Sequence, residues 1–99
     1  MRDGEILNAD LADELVLVRR ILGYSQSKMA KTLGITKNSI SIYETKSSAI
    51  SLLTALKVHF VLMKLLSNPE EHALRKVQVN ALGDSMLFFE NHLYTKIKI

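Results

Sequence analysis

The sequence has no cysteine, a single proline (Pro69) and only four glycines in 99 residues. Without cysteine the chain has no disulfide to support a small core, no thiol nucleophile and no cysteine-based zinc site, which fits a reducing compartment. It also lacks a long hydrophobic run. The most apolar segment, residues 52–66, is broken by Lys57, His59 and Lys64, well short of the roughly 18 uninterrupted apolar residues a membrane span needs. The first residues are acidic where a secretory leader needs a basic start followed by an apolar run. These absences predict a soluble cytoplasmic protein with no membrane partner. Internal repeats, low-complexity tracts, glycine-rich phosphate loops, nucleophile elbows and the HExxH pattern are missing too. His59, His72 and His92 stand 13 and 20 residues apart, so they form no i, i+4 pair and read as solvated or core histidines, not metal ligands. Asp84 and Glu90 fall on different faces of a helix and make no catalytic pair. The expectation is therefore no enzyme, no metal, no cofactor and no small-molecule ligand.

Hydrophobic residues make up 47% of the chain, enough for one small globular core in a single domain of ordinary length. The net charge of +3 is unevenly spread. Residues 1–14 set Arg2 against Asp3, Glu5, Asp10, Asp13 and Glu14, a net of −4. Residues 15–48 set Arg19, Arg20, Lys28, Lys31, Lys37 and Lys46 against Glu44 alone, a net of +5. A basic middle of this kind suits a polyanion partner; a solvated lysine face is the plainer reading.

The pattern along the chain is helical. Asn8 or Asp10 is expected to open a first helix, with Leu11, Leu15, Val18 and Leu22 as its apolar stripe and Gly23 as its end. Ser25 caps a second, whose Met29, Ala30 and Leu33 face inward and which Gly34 stops. Thr36 caps a short third helix over about residues 37–45, and Ser51 caps a fourth, nearly enclosed helix running to about Leu66. Asn68, Pro69 and Glu71 form a helix start, predicting a fifth helix to about Val79. NALGD then reads as a break and Asp84 as the cap of a last helix. The closing TKIKI alternates like a strand that would pair with another subunit.

Helix, glycine-bearing turn, helix is an arrangement whose second helix can enter the DNA major groove. Ala30 is small where the helices approach, Gly34 takes the turn, and Ile35 with Ile40 pins the second helix to the core. Lys37, Asn38, Ser41 and Ile42 are left facing outward. Asparagine can bond adenine in pairs, lysine can donate to guanine, serine can serve either, and an apolar side chain can touch a thymine methyl. The helix starts at Gln26 and Thr36 carry unpaired amides that can meet phosphates. Glu44 reads as structural, paired with Arg19 or Arg20. Tyr43 is either a core aromatic with an exposed hydroxyl or a phosphate contact.

The stretch LVLVRRILGYSQSKMAKTLGITKNSISIYETKSSAISLLTAL closely resembles the helix-turn-helix of lambda-repressor/Cro-like regulators, also called the xenobiotic-response-element family. The matching residues are Leu15, Arg19, Leu22, Ser25 with Gln26, Met29 with Ala30, Leu33 to Thr36, Ser39 to Ser41, Tyr43 with Glu44, Ser51 with Leu52, and Leu56; the likeness covers roughly residues 10–66. It implies an all-α, five-helix fold that binds double-stranded DNA sequence-specifically as a two-fold homodimer. It puts base reading at Lys37, Asn38 and Ile42, with Ser41 beside them. It puts phosphate contacts at Gln26 and Ser27, which start the second helix, and at Thr36, Ser39, Tyr43 and Lys46. The chain departs from the family at Lys46, where glycine is usual, at Ile50, where proline is usual, and at Ile42, which replaces arginine, lysine or glutamine.

A five-helix domain of this type closes by about residue 79, giving a DNA-binding domain over 1–79 and an extension over 80–99. The apolar surplus in the extension is Met86, Leu87, Phe89, Leu93, Tyr94, Ile97 and Ile99, with Phe88, and it is expected to build a dimer through a helix and a strand. Met29, Met63 and Met86 read as core filler. The leading expectation is a dimeric repressor of the kind temperate phages and mobile elements carry, bound to a pseudo-palindromic operator. The alternative is an antitoxin-type module that binds a toxin and its own operator.

Overall fold

Hydroxyl side chains set where three of the helices begin. The computed structural model describes the backbone of residues 3–45 and 49–97 and the side chains of 11–45 and 49–94. The described residues form five helices, α1 (Asp3–Leu22), α2 (Gln26–Leu33), α3 (Lys37–Glu44), α4 (Leu52–Ser67) and α5 (Lys76–Ile97), and no strand. Ser25, Thr36 and Ser51 are extended residues whose side-chain oxygens accept the N–H of Lys28, Ser39 and Thr54. Each such cap contributes about 1 kcal/mol. Gly23 and Gly34 close α1 and α2 in the left-handed region, both at φ 71°. There the N–H of Tyr24 returns to the Arg19 carbonyl at 3.1 Å and that of Ile35 to the Ala30 carbonyl at 3.0 Å, which satisfies carbonyls the helix ends would leave open. α1 starts at Asp3, ahead of the expected Asn8 or Asp10.

All five helices feed one core. Leu11, Leu15 and Val18 of α1, Met29, Ala30 and Leu33 of α2, Ile40 of α3, Ala55, Val58 and Leu62 of α4, and Leu82, Phe89 and Leu93 of α5 form a single buried cluster with Ile50. α5 lies against both α1 and α4, while α2 and α3 pack on each other and lean on α4 and α1.

Past Asn68 the structure departs from the sequence reading. The Asn68 side chain does bond the Glu71 carboxylate, but the helix expected there stops after one turn. Ala73 adopts φ 54° and the N–H of Leu74 returns to the Pro69 carbonyl at 3.0 Å. The predicted break at NALGD is absent: α5 runs unbroken through Gly83, and Asp84 is an exposed mid-helix residue, not a cap. A helical glycine costs about 0.5–1 kcal/mol. Burial of Leu82 and Phe89, both at 0% exposure, and of Leu93 at 5% outweighs it at about 1.5–3 kcal/mol per side chain. The strand expected in TKIKI is helix as far as Ile97, and Ile99 lies outside the described residues, as does the side chain of Ile97.

The expected split into 1–79 and 80–99 therefore falls inside a continuous helix. Phe89 and Leu93, assigned to a dimer interface, are in the domain's own core, because the first four helices leave an apolar gap between α1 and α4 that α5 fills. Met86 and Phe88 pack partly buried against that core. Leu87 and Tyr94 are exposed, and so is Met63, which had been expected inside.

Two features of α5 lower its stability without serving the core. A methyl group added at Gly83 would meet nothing within 4 Å, and the hydroxyl of Ser85, 1% exposed, has no hydrogen-bond partner. We expect Gly83→Ala to raise the unfolding free energy by about 0.5–1 kcal/mol. Ser85→Ala is expected to raise it by about 1 kcal/mol, since it removes an unsatisfied buried group. Urea unfolding followed by circular dichroism measures both.

Candidate nucleic-acid interface

α3 is eight residues long, too short to be stable alone, so its neighbours fix its pose. Ile40 anchors it from within the core at 0% exposure. At its start, Thr36 accepts the Ser39 N–H at 3.0 Å while the two hydroxyls lie 2.9 Å apart. At its far end, Glu44 is gripped by Arg19 of α1: Nε donates to Oε2 at 2.5 Å and Nη2 to Oε1 at 2.9 Å. The third guanidinium nitrogen, Nη1, donates to the Tyr24 carbonyl at 2.8 Å, tying the pair to the α1–α2 turn. The sequence left Arg19 and Arg20 as alternatives, and the structure selects Arg19.

Gln26, the first residue of α2, completes this network, its Nε2 donating to Glu44 Oε1 at 3.1 Å. Its side chain therefore links the start of α2 to the end of α3, and that bond was not foreseen because the residues are 18 apart in sequence. With side-chain exposures of only 17% and 13%, Arg19 and Glu44 are largely shielded from water. The Arg19 hydrogen bonds hold the Glu44 carboxyl below the ordinary glutamate range, against the opposing effect of burial, with Gln26 adding to the lowering.

With Ile40 inward, the helical repeat of about 100° per residue turns Asn38, Ile42 and Thr45 outward on the opposite side. Ser39 and Ser41 flank them, and Lys37 stands in the first turn. Lys37, Asn38 and Thr45 are exposed, and Ser39, Ser41 and Ile42 are half-buried. Thr45 was missed in the sequence reading, although its spacing of three from Ile42 and seven from Asn38 marks it as the same face. Its hydroxyl donates to the Ile42 carbonyl at 3.2 Å, which leaves the side chain at the outer edge of the helix end.

The residues assigned to phosphate divide. Ser27 is exposed in the first turn of α2, and the amides of Gln26 and Ser27 precede that helix's first internal bond, from Met29 N to Ser25 O, so they point out of its positive end. Thr36 and Ser39 sit together at the start of α3. Tyr43 packs partly buried against the core, with its hydroxyl 3.4 Å from that of Thr54. Lys46 lies outside the described residues. Of the basic middle, Arg19 is committed internally, whereas Arg20, Lys28, Lys31 and Lys37 are exposed. Lys28 holds its ammonium 4.3 Å above the Tyr24 ring, a contact that fixes the charge beside the start of α2.

The histidines lie elsewhere. His59 pairs with Glu90 at 3.0 Å, and His92 bonds the Phe88 carbonyl at 2.8 Å and stacks on its ring. Among the described residues no group of three His, Asp or Glu side chains is placed to hold a metal ion, and no helix is long and apolar enough to cross a membrane.

A family model described as helix-turn-helix matches residues 17–59. The match spans the end of α1, the whole α2–turn–α3 unit and the first half of α4. No curated protein and no solved structure matches the chain. The similarity of residues 17–59 to that family supports a DNA-binding transcriptional regulator of helix-turn-helix type and points to no enzyme family.

The Arg19–Glu44 pair yields a signed pH dependence. A carboxyl whose folded pKa is depressed contributes stability that is present above its unfolded pKa and is lost as pH falls through the folded one. We expect Glu44→Gln to destabilise the domain by about 1–3 kcal/mol at neutral pH. The gap to the wild type should narrow steadily on acidification, which urea titrations from about pH 7 to about pH 3 measure.

Proposed function

We propose that this chain is a sequence-specific double-stranded DNA-binding repressor that acts as a homodimer on a pseudo-palindromic operator. The observation that carries the reading is the outward face of α3. Asn38, Ile42 and Thr45 lie opposite the buried Ile40, with Lys37 and Ser41 beside them, on a helix held at both ends. A helix inserted in the major groove needs such a face: bonding groups for base edges, one apolar group for a thymine methyl, and nothing the fold requires. Ser27, Thr36 and the amides that start α2 and α3 flank that face where the sugar–phosphate backbone would run, and the exposed Arg20, Lys28 and Lys31 supply the non-specific attraction. Ile42 shifts the preference at its contact from guanine towards thymine. The homodimer would present two copies of α3 to half-sites about one helical turn apart.

Selection of bound sequences from a random duplex pool tests the reading, and recovery of no enriched motif would refute it. We expect Asn38→Ala to relax base preference at one position per half-site and to cost about 1–3 kcal/mol on the selected site. Ser27→Ala should weaken selected and scrambled duplexes alike. An Asn38→Ala motif identical to that of the wild type would mean that α3 does not read bases through this face.

A further inference from the structure

α4 has a second face that the core does not use. Leu52, Leu53, Leu56, Phe60 and Met63 are 40–62% exposed, and the helical repeat gathers them in one sector away from the buried Ala55, Val58 and Leu62. α5 widens the strip with Leu87 and Tyr94, seven residues apart on one side and 55% and 63% exposed. The two helices run antiparallel, joined by the His59–Glu90 pair at 3.0 Å. Between them lies a groove of about 520 Å³ lined by Leu56, His59, Glu90, Asn91, Leu93 and Tyr94. A second recess of about 440 Å³ adjoins it on the side of Leu33 and Val61. The sequence reading had α4 nearly enclosed and did not anticipate this surface.

Three properties of the strip fit a second copy of the same chain. The first is area. An aromatic side chain buries roughly 150–250 Å² when covered completely; with aliphatic residues at the low end of that range, the seven side chains at 40–63% exposure offer on the order of 600 Å². That approaches the roughly 800 Å² each partner contributes to a stable complex. The second is shape. A two-fold contact needs projection and recess on the same patch, and here Phe60, 61% exposed, projects beside the groove of about 520 Å³. The third is charge. Lys57 and Lys64 border the strip on α4, while the exposed Asp84 borders it on α5. A two-fold axis that lays α4 of one copy on α5 of the other therefore sets opposite charges face to face.

We propose that the chain self-associates through this α4–α5 face, with Phe60 of each copy seated in the groove of the other. The surface is built on residues 52–63 as much as on the chain's end, and it deepens the regulator reading by specifying how two copies of α3 are yoked. Truncating α5 cannot test it, because Phe89 and Leu93 would leave the core. Point substitutions at exposed positions can.

The experiment measures the mass of the full chain in solution by sedimentation over about 1–100 µM, with Phe60→Glu and Met63→Lys alongside and circular dichroism to verify helicity. The expected result is a wild type with the mass of two chains and variants with the mass of one at unchanged helicity, their association at least about 30-fold weaker, as for loss of a central anchor. A wild type with the mass of one chain across the range overturns the proposal, as do variants that remain dimeric. Should Phe60→Glu lose helicity, Met63→Lys and Leu87→Lys decide by the same mass criterion. Binding to a single half-site duplex is measured on the same samples. A dimeric wild type that binds no duplex sinks the DNA-binding reading and leaves the self-association result intact.

Discussion

The pose of α3 depends on one ion pair. An eight-residue helix with a single fully buried side chain has little hold on the rest of the domain, and Ile40 alone would let it roll about its own axis. Arg19 prevents this by taking Glu44 in a two-pronged grip while its remaining nitrogen binds the Tyr24 carbonyl. Three segments are thereby tied to one guanidinium: α1 through its backbone, the α1–α2 turn through a carbonyl, and α3 through its last carboxylate. Gln26 adds the start of α2 to the same cluster. A planar, always-charged fork suits this role better than a lysine, whose single ammonium cannot fix an orientation.

Much of the first four helices was legible in the sequence because the signals there are local. Ser25, Thr36 and Ser51 cap, Gly23 and Gly34 stop, and Leu11, Leu15 and Val18 repeat at helical spacing; each acts within one turn of its own position. The helix-turn-helix and its inward residues, Ala30, Leu33 and Ile40, followed directly. What lay beyond reach was long-range or a near balance. Gly83 and Asp84 look like a break because glycine disfavours helix, yet the burial of Leu82 and Phe89 against α1 and α4 is the larger effect, and that contact cannot be read from neighbouring residues. The alternation in TKIKI is only five residues long, too short to decide against continuation of a helix already docked. Pro69 did start a helical turn, and Ala73 ended it in a conformation where glycine would have given warning.

The candidate site was legible in its residue types and less so in their employment. Asn38 and Ile42 stand on the outward face, as the spacing from Ile40 required. Gln26 was assigned by resemblance to phosphate, and its amide group is engaged with Glu44 on another helix. Thr45 was overlooked because it lies at the helix end, where composition gives no cue and only the angular position does. Tyr43 turned towards Thr54 because its ring completes the side of the core that the short α3 cannot cover.

The separation of Ile40 from Asn38, Ile42 and Thr45 also bears on how such a protein can diverge. Asn38 and Thr45 are exposed, and neither the Thr36 cap nor the Arg19–Glu44 grip uses the side chains of Asn38, Ile42 or Thr45. Exposed substitutions away from buried contacts usually shift stability by no more than about 0.5 kcal/mol, so this surface can drift through many sequences while the scaffold stays folded. A lineage of copies could acquire new targets one residue at a time without crossing an unfolded ancestor.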